Sequence, residues 1–429
     1  MAGIKGSIVI TDDWNGGTPR QLNTLASRFA AQVFAIVEIS ETVIPELGKK
    51  GRRHLREVAA NISENLKGKE ADSFKEGMRR FMEELGGVDS STKKSLNIEM
   101  EPAAALALAH FVQTAARYAY AGSREDMTRR ALLVSLISSF EVLFGRLARV
   151  VYEKNKAALN DSDYSFTLEQ LAQFESIEGA REFLIERRLS ALLRESVDGW
   201  EKWLVRACGG LSMTALPVDW PGIRESFARR NLIVHAESIV NQIYLDTVRG
   251  LDIPGEIPAK GKKLTVSSEY LKEGAERILA LGVILTSEIS RKLNRRSEGE
   301  VIEMLVEEAE ECARRGFWGA SAYISSHALT WPASRSQKID IQTCNWLARK
   351  AIHGGDEIRS EVEAWDTSGL SSRLAHRKNL LLDPAAAVEG VEHLLADGEL
   401  TAFELAHNPL YEGVLELIVK RKESDALPD

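Results

Sequence analysis

Leu132-Leu133-Val134-Ser135-Leu136-Ile137-Ser138-Ser139-Phe140-Glu141-Val142-Leu143-Phe144-Gly145-Arg146-Leu147-Ala148-Arg149-Val150-Val151 is the most strongly amphipathic run in the chain. At the helical period, Leu132, Leu133, Leu136, Ile137, Phe140, Leu143, Phe144, Leu147, Val150 and Val151 fall on one arc, and Ser135, Ser139, Arg146 and Arg149 fall opposite. The spacing predicts a long helix opened by Ser123, with Asp126 three residues on as its capping partner. Glu141 stands at the edge of the arc, where a carboxylate is either solvated or within reach of an arginine on a neighbouring helix.

Outward from this helix, residues 167–174 and 179–206 carry shorter helical patterns, the second closed by Gly209-Gly210. Asp219 and Pro221 open the next long pattern, proline being favoured in a first helical turn, and it runs to about Arg249. Along it Leu232, Ile233, Ala236, Ile239, Val240, Ile243 and Tyr244 form an apolar arc, while Asn231, His235, Ser238 and Gln242 form a polar stripe on another face. Residues 250–261 hold three Gly and two Pro and read as a loop; Leu271, Ala275, Ile278, Gly282, Leu285 and Ile289 then define one more long helix. From residue 300 on, the chain reads as paired helices at 301–315, 319–329 and 338–352 and shorter segments, punctuated by Gly316, Pro332, Gly354-Gly355, Pro384 and Pro409. Nearer the start, residues 4–11 read as a short strand, and 47–66 and 73–85 as helices. The expected fold is all-α: a mostly helical region at 1–122 with a small β element at its start, a helical bundle at 123–296, and an acidic helical region at 297–429.

A chain of 429 residues is too long for one hydrophobic core. Cys208, Cys312 and Cys344 include no C-x-x-C pair and no Cys/His cluster, which argues against a disulfide framework and structural zinc, and for a reduced, cytoplasmic compartment. Residues 1–6 lack a basic segment leading into an apolar run, and the apolar stretch at 279–285 is too short to cross a bilayer, so no membrane insertion is expected. The net charge of −8 is unevenly spread. Residues 1–123 carry 16 basic and 15 acidic side chains, 124–300 carry 26 of each, and 301–429 carry 13 basic against 22 acidic. The central part is therefore compatible with phosphate contact. The acidic third fits a protein partner, or an autoinhibitory contact with basic segments of its own chain.

Arg229-Arg230-Asn231-Leu232-Ile233-Val234-His235, in the second long pattern, brings a guanidinium and an imidazole close together, and His235 alone of the eight histidines has an arginine five to seven positions before it. Arginine stays charged and presents a fork to two phosphate oxygens, and imidazole can give or take a proton near neutral pH. His235 also lies off the apolar arc on which a packing histidine would sit.

The helix carrying Ser138-Ser139-Phe140-Glu141-Val142-Leu143-Phe144, two intermediate helices, and Arg230-Asn231-Leu232-Ile233-Val234-His235 near the start of a further long helix together resemble the HEPN superfamily, over residues 123–296. In that family the R-x4-6-H motif, often with a polar residue directly after the arginine, marks metal-independent ribonucleases, among them bacterial toxins and antiphage abortive-infection effectors. The resemblance implies an endoribonuclease that needs no cofactor or metal, with Arg230 and His235 catalytic and Asn231 the polar residue after the arginine. Arg229 has its own spacing to the same histidine and is a second candidate for the arginine; Glu141 is a candidate supporting carboxylate. RNA would be cut through its own 2′-hydroxyl, leaving a 2′,3′-cyclic phosphate and a 5′-hydroxyl. That reaction needs both a base and an acid, and one site supplies one imidazole, so a homodimer bringing two copies of His235 to one cleft is expected. Two other readings stay open. One is a non-catalytic HEPN-like scaffold or antitoxin-type binding protein in which the Arg and His are structural. The other is a metal-dependent nuclease using Glu307, Glu308, Glu310 and Glu311, although their spacing converges on no single point and reads as a solvated face.

Overall fold

A computed structural model describes residues 19–85, 99–120, 124–155, 158–159, 166–253, 257–294 and 298–425. Among these residues the fold is all-α, and extended pairing is limited to an isolated antiparallel bridge between Ile239 and Lys263. The strand expected at residues 4–11 and the Ser123 cap lie outside the described residues. The helices run α1 (Pro19–Asn65), α2 (Lys69–Leu85), α3 (Pro102–Tyr120), α4 (Arg124–Lys154), α5 (Leu168–Leu171), α6 (Ile177–Leu192), α7 (Val197–Ala207), α8 (Trp220–His235) and α9 (Gln242–Val248). They continue as α10 (Ser268–Leu293), α11 (Glu298–Arg314), α12 (Trp318–Ala328), α13 (Arg335–His353), α14 (Asp356–Ala364), α15 (Ser372–Leu382), α16 (Val388–Ala396), α17 (Ala402–His407) and α18 (Glu412–Asp425).

The chain forms two compact units. The smaller comprises Ile36–Val134 and Leu264–Leu271. Its core is Phe74, Ala104, Leu108 and Phe111, with Val58, Ile62 and Met78 packed against them, so the apolar faces of α2 and α3 meet the second half of α1. The larger unit takes the chain up to Ala35 together with Ser135–Lys263 and Lys272–Asp429. Within it the C-terminal helices have a core of their own, built on Trp346, Ile358, Val362, Leu380, Val391 and Val414.

Two readings of helix extent change. The helix read at 47–66 is the second part of a longer one, α1, which starts at Pro19, continues through Pro45 and ends at Asn65. Residues 179–206 are two helices, because Ser196 caps a new start: its hydroxyl accepts the Gly199 N–H at 3.3 Å, and Trp200 Nε1 returns to the Leu192 carbonyl at 2.8 Å.

The arc read along α4 is buried as its spacing predicts. Leu133, Leu136, Ile137, Phe140 and Leu147 are wholly inaccessible, while Ser135 and Arg146 are exposed. Among the described residues α4 is also the one helix long and apolar enough to cross a membrane by length and composition, a property it shares with buried core helices. Phe144 stacks on Trp200 of α7 with centroids 4.5 Å apart, and Phe140 meets Phe29 and Phe227 edge-on at 6.3 and 6.1 Å. Gly282 of α10 lies against this cluster so closely that a Cβ there would come within 2.3 Å of the Phe29 ring and 2.9 Å of Leu143.

Candidate functional site

Helix α8 starts where its sequence directs. The Asp219 carboxylate accepts the Gly222 N–H at 3.0 Å, Pro221 occupies the first turn, and the other Asp219 oxygen pairs with Arg277 Nε at 2.7 Å. Phe227 then docks on Phe140, which fixes α8 against α4. One turn further, Arg230 reaches the residue that follows Phe140 in α4: its Nη2 donates to Glu141 Oε1, and its Nη1 to Asn231 Oδ1 at 3.0 Å. The apolar contact and the ion pair therefore share one register. The Arg230 Nε is buried with no hydrogen-bond partner among the described residues.

Arg229 points elsewhere. Its Nε donates to Glu225 Oε1 at 2.8 Å, the two side chains being 14% and 4% exposed. The Tyr244 hydroxyl donates to the same Glu225 oxygen at 2.7 Å. Burial, reinforced by the Glu225 charge, holds that phenol well above its ordinary range. Arg229, Glu225 and Tyr244 thus form a buried polar tie between α8 and α9, and of the two arginines it is Arg230 that lines a cleft with His235.

His235 does not lie near the start of a long helix; it is the last residue of a short one. The backbone turns left-handed at Glu237 (φ 49°) and Ser238 (φ 67°), and the Ala236 and Ser238 N–H groups both donate to the Leu232 carbonyl at 2.9 and 3.0 Å. Val240 then exchanges hydrogen bonds with the loop strand, its N–H to Lys262 O at 2.9 Å and its carbonyl from Gly261 N–H at 2.8 Å. These long-range bonds replace the helical ones that would have carried α8 to Arg249. The polar stripe expected to continue through Ser238 and Gln242 is accordingly broken, and Ser238 is wholly buried.

Because the chain reverses after His235, α9 comes back to form one side of a cleft of 630 Å³. Arg230, Asn231 and His235 line it, with Glu141 behind Arg230. Among the lining residues that the sequence reading missed are Arg194, Asp198, Arg224 and Asn241. Arg224 pairs with Asp198 at 3.0 Å, and Asn241 caps α9 by accepting the Tyr244 N–H at 2.9 Å. Arg194 is exposed in the break between α6 and α7, a position hidden by reading 179–206 as one helix. Ser196 and Asn241 were legible as caps and would have located both breaks.

The four glutamates of α11 diverge. Glu308 accepts from Ser27, Glu311 pairs with Arg314 and Arg315, and Glu307 and Glu310 line different cavities. Among the described residues no three His, Cys, Asp or Glu come together as a metal site, and all three cysteines are free and buried. Compared with protein-family models, curated proteins and solved structures, the chain matches none.

Proposed function

We propose that the chain is a metal-independent endoribonuclease of HEPN type, a cytoplasmic toxin or antiphage defence effector, with Arg230 and His235 as its catalytic pair. The observation that carries this reading is that both line one cleft. Asn231 and Glu141 each take one N–H of the Arg230 guanidinium, which orients the fork and leaves donors for a phosphate. In the reaction the substrate 2′-hydroxyl attacks phosphorus. The new 2′-O–P bond forms as the P–O5′ bond breaks, a base takes the 2′ proton, and an acid protonates the leaving 5′ oxygen. His235 fills one proton role, and Arg230 stabilises charge on the phosphorane oxygens. The second proton role falls to His235 of a second copy. Val234 and Ile243, 51% and 76% exposed beside His235, are apolar surface that a homodimer would cover. The acidic C-terminal residues would contact a protein partner, or restrain the nuclease.

A non-catalytic helical module is the second reading, and the Arg230–Glu141 ion pair favours it, since such a pair also serves to hold two helices together. Incubation of purified protein with total RNA in EDTA separates the two. Cleavage leaving 2′,3′-cyclic phosphates, with 2′-O-methylated RNA resistant, supports the nuclease; intact RNA supports the module. In cells, wild-type expression slows bacterial growth and His235→Ala does not if the nuclease reading holds.

A further inference from the structure

We propose that a cavity among α11, α13, α15 and α17 is a binding site for a small organic cation, an alkylammonium or guanidinium compound, held by Glu310 and Thr343. The cavity measures 230 Å³, a size for a ligand of few heavy atoms, and is lined on its apolar side by Leu347 and Leu410. It lies outside the Arg230 cleft, and the proposal does not rest on the nuclease reading.

Two side chains point to the ligand. Thr343 is 5% exposed and its Oγ1 is buried with no hydrogen-bond partner among the described residues. The other helical threonines, Thr24, Thr42, Thr114, Thr128, Thr247 and Thr286, each donate to the carbonyl four residues back. Thr343 does not, so its hydroxyl is left for the cavity it lines. The Glu310 carboxylate likewise has no hydrogen bond or ion pair among the described residues; only its backbone carbonyl is used, by Arg314 Nε at 3.5 Å. Burial holds this carboxyl above its ordinary range, and the neighbouring Asp340 pushes the same way, against the pull of the Arg377 and Arg314 charges.

The guanidinium groups on the cavity wall have other partners. Arg377 Nη1 pairs with Asp340 at 2.6 Å, and Arg314 Nη2 with Glu311 at 2.9 Å. At the rim His407 stacks on Phe403 with centroids 4.2 Å apart, and its Nδ1 bonds to the Phe403 carbonyl at 2.8 Å. Asp340 and Glu404 are likewise held, by Arg377 and Arg373, so of the three carboxylates on the wall Glu310 is the one with no ion pair among the described residues. An ammonium or guanidinium group in this cavity would neutralise Glu310 and donate to the Thr343 hydroxyl, its carbon chain lying against Leu347 and Leu410.

The test uses the full chain with agmatine and butylamine as probes and butanol as the neutral control, read by calorimetry and by thermal shift. Both amines are expected to bind and to raise the unfolding temperature with concentration, butanol to do neither. Glu310→Gln should weaken amine binding roughly ten- to a hundred-fold, and Thr343→Val about three- to ten-fold. Glu310→Gln keeps the side-chain shape and removes an unpaired charge, so circular dichroism should show it folded. Equal amine affinity in folded Glu310→Gln, equal binding of butanol, or no binding of either amine at tens of millimolar would overturn the proposal.

Discussion

Replacing Arg229 by methionine removes the charge from the Arg229–Glu225 pair while keeping an apolar stem of similar length. The pair is 14% and 4% exposed, so Glu225 would be left buried without the Arg229 guanidinium, the Tyr244 hydroxyl still donating to it. Removing one partner of a buried pair costs roughly 3–5 kcal/mol, and the remaining Tyr244 bond puts the expected loss near about 3 kcal/mol. Urea unfolding followed by circular dichroism should show a midpoint lower by about 1 M if the slope is about 3 kcal/mol/M. Arg230→Ala is the contrast: Arg230 and Glu141 are 21% and 29% exposed, so water replaces much of the lost interaction and the expected cost is about 1 kcal/mol. The double variant Arg229→Met/Glu225→Gln should recover at least about 1 kcal/mol relative to the sum of its singles, since neither charge is then stranded. An Arg229→Met protein within about 0.5 kcal/mol of wild type, or a cycle with no coupling, would refute the assignment of Arg229 to the fold.

On the nuclease reading, Arg230→Ala and His235→Ala should each lower RNA cleavage by about 10²-fold or more, whereas Arg229→Met, once folded, should cut near the wild-type rate; a His235→Ala protein keeping more than about a tenth of its activity would count against the mechanism. Glu308 is 6% exposed, and burial holds its carboxyl above the ordinary range against the pull of the Ser27 hydroxyl. The folded state then binds this proton more tightly than the unfolded one, so the Glu308 contribution is most favourable in acid and is lost as pH rises from the ordinary carboxylate value through the raised one. Glu308→Gln keeps an oxygen for Ser27 and should unfold at a higher temperature than wild type at neutral pH, the difference vanishing below about pH 4; a lower unfolding temperature at pH 7 would show the charge to be compensated. Gly282→Ala, ordinarily a gain within a helix, should instead cost roughly 1–3 kcal/mol in chemical denaturation, because its Cβ would press on the Phe29 ring and Leu143. Unchanged or increased stability there would mean the cluster can shift.

The parts of the fold that could be read from sequence are those decided locally. The arc of α4 is legible because its period matches the helix, and one side of it is almost wholly buried. Glu141 was legible as a carboxylate able to reach an arginine on another helix, and Arg230 is that arginine. What separates Arg230 from Arg229 was not legible, since it depends on where Glu225 and Tyr244 lie, and Tyr244 is brought back only by the turn after His235. That turn carries neither glycine nor proline. Glu237 and Ser238 accept a left-handed backbone that costs roughly 1–2 kcal/mol per residue, a conformation no propensity would assign them.

The force that imposes the turn lies more than twenty residues along the chain, in the backbone bonds of Val240 to Gly261 and Lys262. It also creates the candidate site. Had α8 continued to Arg249, Asn231 and His235 would lie on an open helix face, with Asn241 and Tyr244 carried away along the same axis. Stopping at His235 folds α9 back, so that Asn241, Ile243 and Tyr244 line the cleft with Arg230 and His235. The same reversal lets Tyr244 complete the buried pair that keeps Arg229 out of that cleft. The Arg229 assignment and the shape of the site are therefore consequences of one event, the capture of Val240 by the 261–262 backbone. A variant that weakened this capture would be expected to lose the Glu225–Tyr244 bond and the cleft wall together, even though none of the altered atoms touches Arg230 or His235.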